Sequence, residues 1–427
     1  MEEGSTLLTD IFHAYFEARK HKRNTESQLA FEMNLESNLV ALYEEVRNRT
    51  YTPSPAVCFL VHYPVKREIF ASQFRDRVIH HLLFNYIAPI FERKMIYDSY
   101  SCRKGKGTLF GVERMEHHIR SCTDNYRVRA WVLKLDLKGY FMSIDKEILY
   151  KLVMQTLEAY WQRYPGKGSA WEETVEVIRF LLRTIVFKDP TKDCEIRGKR
   201  SEWDDLPPSK SLLKSPPGVG LPIGDLTSQL FSNIYLNELD HFVKRTLQCK
   251  HYGRYVDDFF IIHTSKAYLK KQIPVLRDFL REKLHLTLHP NKIVLQQHTH
   301  GVPFLGTCLK PYRNYAVQRT MGALRSTVRH MEGRVKDREP SYEQLVRMQQ
   351  TLNSYLGYLI HVKRLKFLHS LLDGSPLQTY FYFKNEYSKA VIRKKYKPRT
   401  PGAEQLKTDF ESSSVDWNDN LIFETEL

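Results

Sequence analysis

Two adjacent carboxylates, Asp257 and Asp258, close the run Tyr255-Val256-Asp257-Asp258 between two apolar stretches. Tyr252 to Val256 reads as one extended segment and Phe259 to Ile262 as the next, which predicts a β-hairpin with the aspartates at its tip. Neighbouring carboxylates are costly in a buried turn unless a cation neutralises them. Mg2+ takes hard oxygen donors of this kind. An Asp-Asp turn without metal is the competing reading of this motif by itself. A third acid weighs against it. Ala130 to Asp136 reads as a buried strand in which alternation puts Val132, Lys134 and Asp136 on one face, with Asp136 at the open end. If that strand lies beside the hairpin, three aspartates converge. Such a cluster holds two Mg2+ ions, typically ~3.5–4 Å apart, for in-line nucleotidyl transfer. One ion activates the attacking 3′-hydroxyl; the other steadies the triphosphate and the departing pyrophosphate.

The elements that must position these acids are legible as periodicities. Residues 5–50 read as two helices, with Leu29, Phe31, Leu35, Leu39, Leu42 and Val46 at helical spacing. Phe59 to Phe70 reads as a hairpin carrying Lys66 and Arg67, followed by a helix from about Asp76 to Phe91. Ser99 to Gly107 is a basic, glycine-broken loop whose amides and cations suit a triphosphate, although it lacks the Gly-Lys-Ser/Thr ending of a Walker loop. A generic basic turn is the alternative there. Residues 165–217 read as an insertion rich in Pro, Lys and Ser, and Gly218 to Gly224 as a flexible lead-in to a helix capped by Asp225 and running to about Lys244. A further helix covers 267–285, then strand and turn to Leu295, then a turn and strand at Gly301 to Gly306. Residues 318–372 are helical and basic, Lys389 to Arg399 reads as a basic linker, and 401–427 as an acidic tail that is disordered or docks on a basic surface of the same chain or of a partner.

The chain has 427 residues, enough for two or three domains, with Lys+Arg 65 against Asp+Glu 49 and a net charge of +16. Such a balance points to a polyanionic partner, nucleic acid first, and the 25 Tyr and 23 Phe permit base stacking although most should be core. The six cysteines are scattered without a Cys-x-x-Cys pair, which argues against a zinc module or a disulfide framework and for a reducing compartment. His80-His81, His117-His118, His285 with His289, and His298 with His300 lack a partner acid or cysteine at ligand spacing and read as surface or core residues. Neither a signal pattern nor a membrane-length apolar run is present, so the expectation is a cytoplasmic protein without a membrane partner.

The ordered set of basic hairpin, Arg103 loop, Asp136 strand, glycine-rich helix start, Tyr-x-Asp-Asp, Lys292 and Gly-x-x-Phe-Leu-Gly resembles the reverse transcriptases over roughly residues 20–380. It is most similar to the prokaryotic enzymes of diversity-generating retroelements, within the group II intron and retron-like superfamily. Gly220-Leu221-Pro222-Ile223-Gly224-Asp225-Leu226-Thr227-Ser228-Gln229 carries that finer likeness, with Ile223 in place of a glutamine, Gln229 in place of a proline, and Asp225 where these enzymes usually have Asn. Leu352 to Tyr358 resembles the same group.

The resemblance implies an α+β right-hand polymerase fold of fingers, palm and helical thumb, the palm being an antiparallel sheet that bears the catalytic aspartates. The boundaries would be a helical extension at 1–55, fingers at 56–130, palm at 131–310 with the 165–217 insertion, thumb at 311–385, and linker and tail at 386–427. It implies that Asp136, Asp257 and Asp258 bind two Mg2+ ions (Mn2+ as substitute) with the Leu137 carbonyl, and that Lys292 protonates or shields the pyrophosphate. Arg67 and Arg103 would clamp the triphosphate, Phe141 would clash with a ribose 2′-hydroxyl, and Ile223 and Gln229 would line the pocket of the base pair. A packed core aromatic is the other reading of Phe141. The implied activity is cDNA synthesis from a template RNA, error-prone at template adenines. The implied partners are that RNA, the cDNA and RNA–DNA duplex, and a small basic accessory protein, the accessory variability determinant. A bacterial antiphage defence reverse transcriptase with a dedicated non-coding RNA shares the same palm. A non-catalytic RNA-binding scaffold is the reading from another class, and the intact acidic triad opposes it.

Overall fold

The computed structural model describes residues 6–20, 25–62 and 65–398; the expected acidic tail at 401–427 lies outside them. The chain is a mixed α+β structure in two compact units, one built from residues up to Arg114 with Leu133–Leu295, the other from Met115–Val132 and residues from Gln296 onward.

The first unit opens on three helices where two were expected: α1 (Leu7–Arg19), α2 (Glu26–Glu32) and α3 (Leu35–Arg47). The apolar period holds, with Leu39, Leu42 and Val46 buried, but Asn34 leaves the helical region at φ −130° and breaks the run. β1 (Val57–Val61) and β2 (Arg67–Ala71) form the expected hairpin, Val61 opposite Arg67. α4 (Phe74–Glu92) follows, burying Val78, Ile79, Leu82, Leu83 and Ile87, and α5 (Thr108–Cys122) runs from the first unit into the second. Next come β3 (Trp131–Leu135), α6 (Tyr140–Ser143) and α7 (Lys146–Arg163), the last capped by Asp145, which accepts from the Glu147 and Ile148 amides.

The segment at 165–217 is built into the fold rather than appended to it. It holds α8 (Ser169–Phe187), which buries Val177, Ile178, Leu181 and Leu182, and β4 (Glu195–Ile196), which pairs parallel to β1. The reason lies in a buried carboxylate. Glu68 of β2 is fully buried and accepts from Trp203 Nε1 at 2.8 Å, from Ser211 Oγ at 2.7 Å and from the Leu212 amide. A charge so enclosed requires those donors, and all three come from the segment.

α9 (Leu226–His241) starts where Asp225 predicts and continues as a π turn over Phe242–Thr246. β5 (His251–Tyr255) and β6 (Asp258–His263) form the antiparallel hairpin, α10 (Lys266–Leu284) follows, and β7 (Val294–Gln297) completes a sheet of order β5-β6-β3-β7.

In the second unit β8 (Val302–Phe304), β9 (Thr307–Lys310) and β10 (Arg313–Ala316) form an antiparallel sheet. The basic stretch 318–372 is three helices, α11 (Gln318–Asp337), α12 (Tyr342–Leu359) and α13 (Leu365–Leu372), around a core that includes Leu324, Val328, Leu352, Leu356, Leu368 and Phe381. Arg325, Arg329, Arg334 and Lys336 lie on the exposed side of α11. The expected linker at 389–399 is instead partly β-structure: β12 (Lys389–Ile392) pairs with β11 (Phe381–Lys384). Ala390 and Ile392 alternate inward, and the Ala390 amide and carbonyl both bond Asn353, at 2.7 and 3.1 Å. Lys389 is an exposed position of this half-buried strand, and Lys394, Lys395 and Lys397 follow it, exposed, in and after a 3-10 turn at Lys394–Tyr396. All six cysteines are free, and among the described residues no helix is long and apolar enough to cross a membrane.

Candidate active site

Tyr255 pairs with Asp258 across the β5–β6 hairpin, leaving Val256 and Asp257 as its two-residue tip. Val256 sits at φ 52°, a left-handed conformation that is strained for a β-branched residue. Its surroundings enforce it. The Val256 amide donates to Ser101 Oγ at 3.2 Å, and its carbonyl accepts from Arg254 Nη1 at 3.0 Å. Arg254 is completely buried and is held by Asp240 through Nε at 2.8 Å and Nη2 at 2.7 Å. Tyr252 donates to the same carboxylate at 2.6 Å. Burial by itself lowers the pKa of this arginine, and Asp240 more than offsets that, so the pKa is raised. Next to it Gly253 admits no side chain: a Cβ there would lie 2.2 Å from the Tyr100 hydroxyl. The buried pair escaped the sequence reading, although an arginine in the apolar strand His-Tyr-Gly-Arg-Tyr was a signal of it.

Asp136 follows β3 as predicted. Its carbonyl accepts from the His289 amide at 2.8 Å, and the Lys138 amide donates to Thr287 at 2.9 Å. These flanking bonds close the Leu137–Leu288 bridge without using the Leu137 carbonyl. Asp136 Oδ2 accepts from Lys292 Nζ at 2.9 Å, whereas its Oδ1 is buried with no partner. Asp258 Oδ2 lies 3.2 Å from Lys134 Nζ, a lysine that shares the strand face of Asp136 and whose role the sequence did not reveal.

The three aspartates feel one another. Burial, then Asp136, then Asp258 push the Asp257 carboxyl up to about 7. Burial likewise raises Asp258, with Asp136 adding to it and Lys134 opposing. The expected ready-made metal cradle is not what the structure shows, since among the described residues no three His, Cys, Asp or Glu side chains are drawn together closely enough to hold an ion. Two ammonium groups, Lys292 and Lys134, lie against two of the carboxylates instead. The residues nonetheless fit a divalent cation. The donors are hard oxygens, one of them buried and unpartnered, and the raised Asp257 carboxyl is a group that a nearby cation would deprotonate.

Arg67 is nine-tenths buried, one of its Nη atoms has no partner, and burial lowers its pKa to about 10 while Asp257 nearby opposes that fall. A buried, unsatisfied guanidinium beside a carboxylate cluster is the arrangement an anionic ligand would complete. Arg103 corrects the sequence reading. Its guanidinium bonds Glu92 through Nε at 2.9 Å and Nη2 at 2.6 Å, and through Nη1 the carbonyls of Ile96 at 2.6 Å and Ser99 at 2.8 Å. Engaged this way it braces the loop that supplies Ser99 and Ser101 to the hairpin, and it presents no fork to a triphosphate.

The glycine-rich lead-in is pinned rather than flexible. Gly218 and Phe141 carbonyls accept from Lys146 and Leu221 at 3.0 and 2.8 Å, and the Gly220 amide donates to Ile144 at 2.8 Å. Ile223 accepts from the Phe70 amide at 2.9 Å, so this segment lies along β2, the strand that carries Arg67. Gly224 makes that approach feasible, at φ 138° with a would-be Cβ 2.5 Å from the Phe70 carbonyl. Ile223 and Gln229 are half-buried and Phe141 is buried. Asp225 precedes α9 but its side chain caps nothing. It accepts from Ser72 Oγ at 2.6 Å and faces His80 Nε2 at 3.6 Å.

Residues 207–309, which include Ile223, Gln229, Asp257, Asp258 and Lys292, match the family described as "Reverse transcriptase (RNA-dependent DNA polymerase)". That match to a reverse transcriptase domain over residues 207–309 indicates an RNA-directed DNA polymerase, a nucleotidyltransferase. Such domains generally use divalent metal ions, typically Mg2+. Protein YkfC of Escherichia coli (strain K12) is 23% identical over 322 residues, which cover 67% of this chain and 73% of YkfC. Telomerase from Candida albicans, solved with a fragment of telomeric RNA, aligns at 12% identity and TM-score 0.44 over 79% of this chain and 60% of its own. Apo telomerase from Candida tropicalis aligns at 11% and 0.44 over 86% and 60%. This chain thus spans about 60% of the telomerase chains it matches.

Proposed function

We propose that this protein copies a template RNA into cDNA by nucleotidyl transfer, with low fidelity at template adenines, as the reverse transcriptase of a diversity-generating retroelement. The observation that carries the polymerase reading is the common field of Asp136, Asp257 and Asp258 beside the unsatisfied Arg67 guanidinium. Asp136 and Asp257, with Asp258 and the Leu137 carbonyl, would hold two Mg2+ ions. When bound, those ions supply Lewis-acid activation of the primer 3′-hydroxyl and charge neutralisation on the triphosphate.

Arg67 completes its bonding on the phosphates. Lys292, which donates to Asp136 Oδ2 at 2.9 Å, passes a proton to the leaving pyrophosphate. Phe141 walls the sugar side and excludes a 2′-hydroxyl. Ile223 and Gln229 border the base pair, and an aliphatic side chain at 223 gives up a polar contact that would check its geometry. The exposed cations of α11 hold the duplex backbone. The retroelement reading brings with it the template RNA, the RNA–DNA duplex and a small basic accessory protein.

Arg67→Met is expected to raise the KM for deoxynucleotide by roughly tenfold or more, the worth of one lost charge-assisted contact. The variant should melt no lower than the parent, because the lost guanidinium was buried and incompletely bonded. Steady-state kinetics beside thermal melting reads both, and an unchanged KM removes Arg67 from the phosphate site. Ile223→Gln is expected to lower misincorporation at template adenines by about tenfold. Deep sequencing of cDNA from both forms decides this, and equal error spectra reject the role given to position 223.

A further inference from the structure

The second unit carries an aromatic and cationic cluster that no role above uses. Tyr312 stands in the β9–β10 turn with 76% of its surface exposed. Its ring meets Tyr126 edge-on, centroids 4.8 Å apart, and Tyr126 in turn lies parallel to His298 at 6.2 Å. The Tyr312 hydroxyl donates to the Asn125 carbonyl at 3.4 Å, joining two segments that are remote in sequence.

The backbone under these rings is strained. Asp124, Asn125 and Tyr126 are consecutive left-handed residues, with φ 47°, 53° and 70°, and Tyr312 has φ 63°. Non-glycine residues persist in that region only where the surroundings hold them. Here the Asn125 amide bonds the Arg120 carbonyl at 2.9 Å, and the Tyr126 amide bonds Thr123 Oγ1 at 2.9 Å.

Cations lie on the two segments that carry these tyrosines. Arg120 reaches Asn125 Oδ1 at 3.2 Å, Arg127 is 79% exposed, and Lys310 and Arg313 stand opposite each other at the base of the turn. The carboxylates within the cluster are already engaged: Asp124 lies 3.5 Å from Arg127, and Glu116 accepts from Asn314 at 2.8 Å. An open aromatic face with guanidinium and ammonium groups at its rim matches an unpaired nucleotide strand, whose bases stack while its phosphates meet the cations. A duplex keeps its base faces stacked inside and offers nothing to Tyr312.

We infer that this cluster docks an unpaired RNA segment, one base stacking on Tyr312 and adjacent phosphates meeting Arg127, Lys310 and Arg313. The inference rests on the proposed function only in choosing RNA over DNA.

The test uses the full chain with a short single-stranded RNA bearing 4-thiouridine, irradiated and mapped by peptide mass spectrometry, beside fluorescence anisotropy of the same RNA. The expected result is a crosslink at Tyr312 or Tyr126. Tyr312→Ala should lose it and weaken binding roughly tenfold, while Tyr312→Phe keeps both. Arg127→Ala with Arg313→Ala should flatten the slope of log affinity against log salt by about 1.4. No crosslink at either tyrosine, or a Tyr312→Ala affinity within twofold of the parent, overturns the docking site. So does equal loss in Tyr312→Phe, which removes stacking as the cause. Equal crosslinking of the matching single-stranded DNA overturns the choice of RNA. Extension of a short pre-annealed primer should survive in every variant. A parent protein that extends no primer instead sinks the polymerase reading and leaves the crosslink result standing.

Discussion

Asp257→Asn is expected to abolish primer extension, by on the order of a thousandfold or more, while making the metal-free protein more stable at neutral pH. The two effects have one origin. Asp257 has its carboxyl raised to about 7 by burial and by the charges of Asp136 and Asp258. The unfolded chain ionises this group near pH ~3.9, so between about pH 4 and 7 the native state binds the extra proton. Stability therefore falls as pH rises through that window, and at pH 8 the native state carries the full electrostatic cost, about a few kcal/mol. Asparagine removes the charge at nearly the same volume. Its melting temperature should exceed that of the parent at pH 8 and converge with it near pH 4. Mg2+ should raise the melting temperature of the parent by binding the native state and do so far less for the variant. A variant that melts lower than the parent at pH 8, or that still extends a primer at the parental rate, contradicts the shared field of the three acids.

Asp240→Asn is expected to have the largest effect on folding, about 3–5 kcal/mol, because it leaves the Arg254 guanidinium buried without a counter-charge. Both side chains are completely buried, so no solvent screening softens the loss. Arg254 also ties the Val256 carbonyl, so the strained tip that bears Asp257 relaxes with it and activity falls even in the folded fraction. Replacing both partners, Asp240→Leu with Arg254→Met, should recover much of the stability, since an apolar pair no longer needs desolvated charges to meet. It should not recover extension, because the Val256 carbonyl still lacks its donor. Urea denaturation of the three variants separates these outcomes. An Asp240→Asn protein within about 1 kcal/mol of the parent would show that the pair does not hold the hairpin.

The hairpin bearing Asp257 and Asp258 was legible because its signal is local. Two apolar runs of strand character bracket the acids, and β5 and β6 form there with Tyr255 opposite Asp258. Asp136 at the end of β3, with Lys134 on its face, follows from alternation in the same way. The helices of 318–372 were written in their period, and only their breaks were not.

What stayed illegible has a common cause: it depends on which remote group saturates a polar side chain. The family resemblance gave Arg103 the part of a phosphate clamp, yet Glu92 and two carbonyls take its donors. The segment at 165–217 read as an insertion by composition, yet it supplies the donors that the buried Glu68 requires. Lys389 to Arg399 looked like a linker by charge, yet its first four residues form a strand whose Ala390 is bonded on both backbone groups by Asn353. Hydrophobic period is a property of neighbours along the chain, so the sequence alone determined the strands around the three acids, the periodic helices of 318–372, and the acids those strands present. Hydrogen-bond satisfaction and charge pairing are properties of neighbours in space, so tertiary structure alone decided which cations face those acids, which arginine is left open to a ligand, and how a strained turn holds its place.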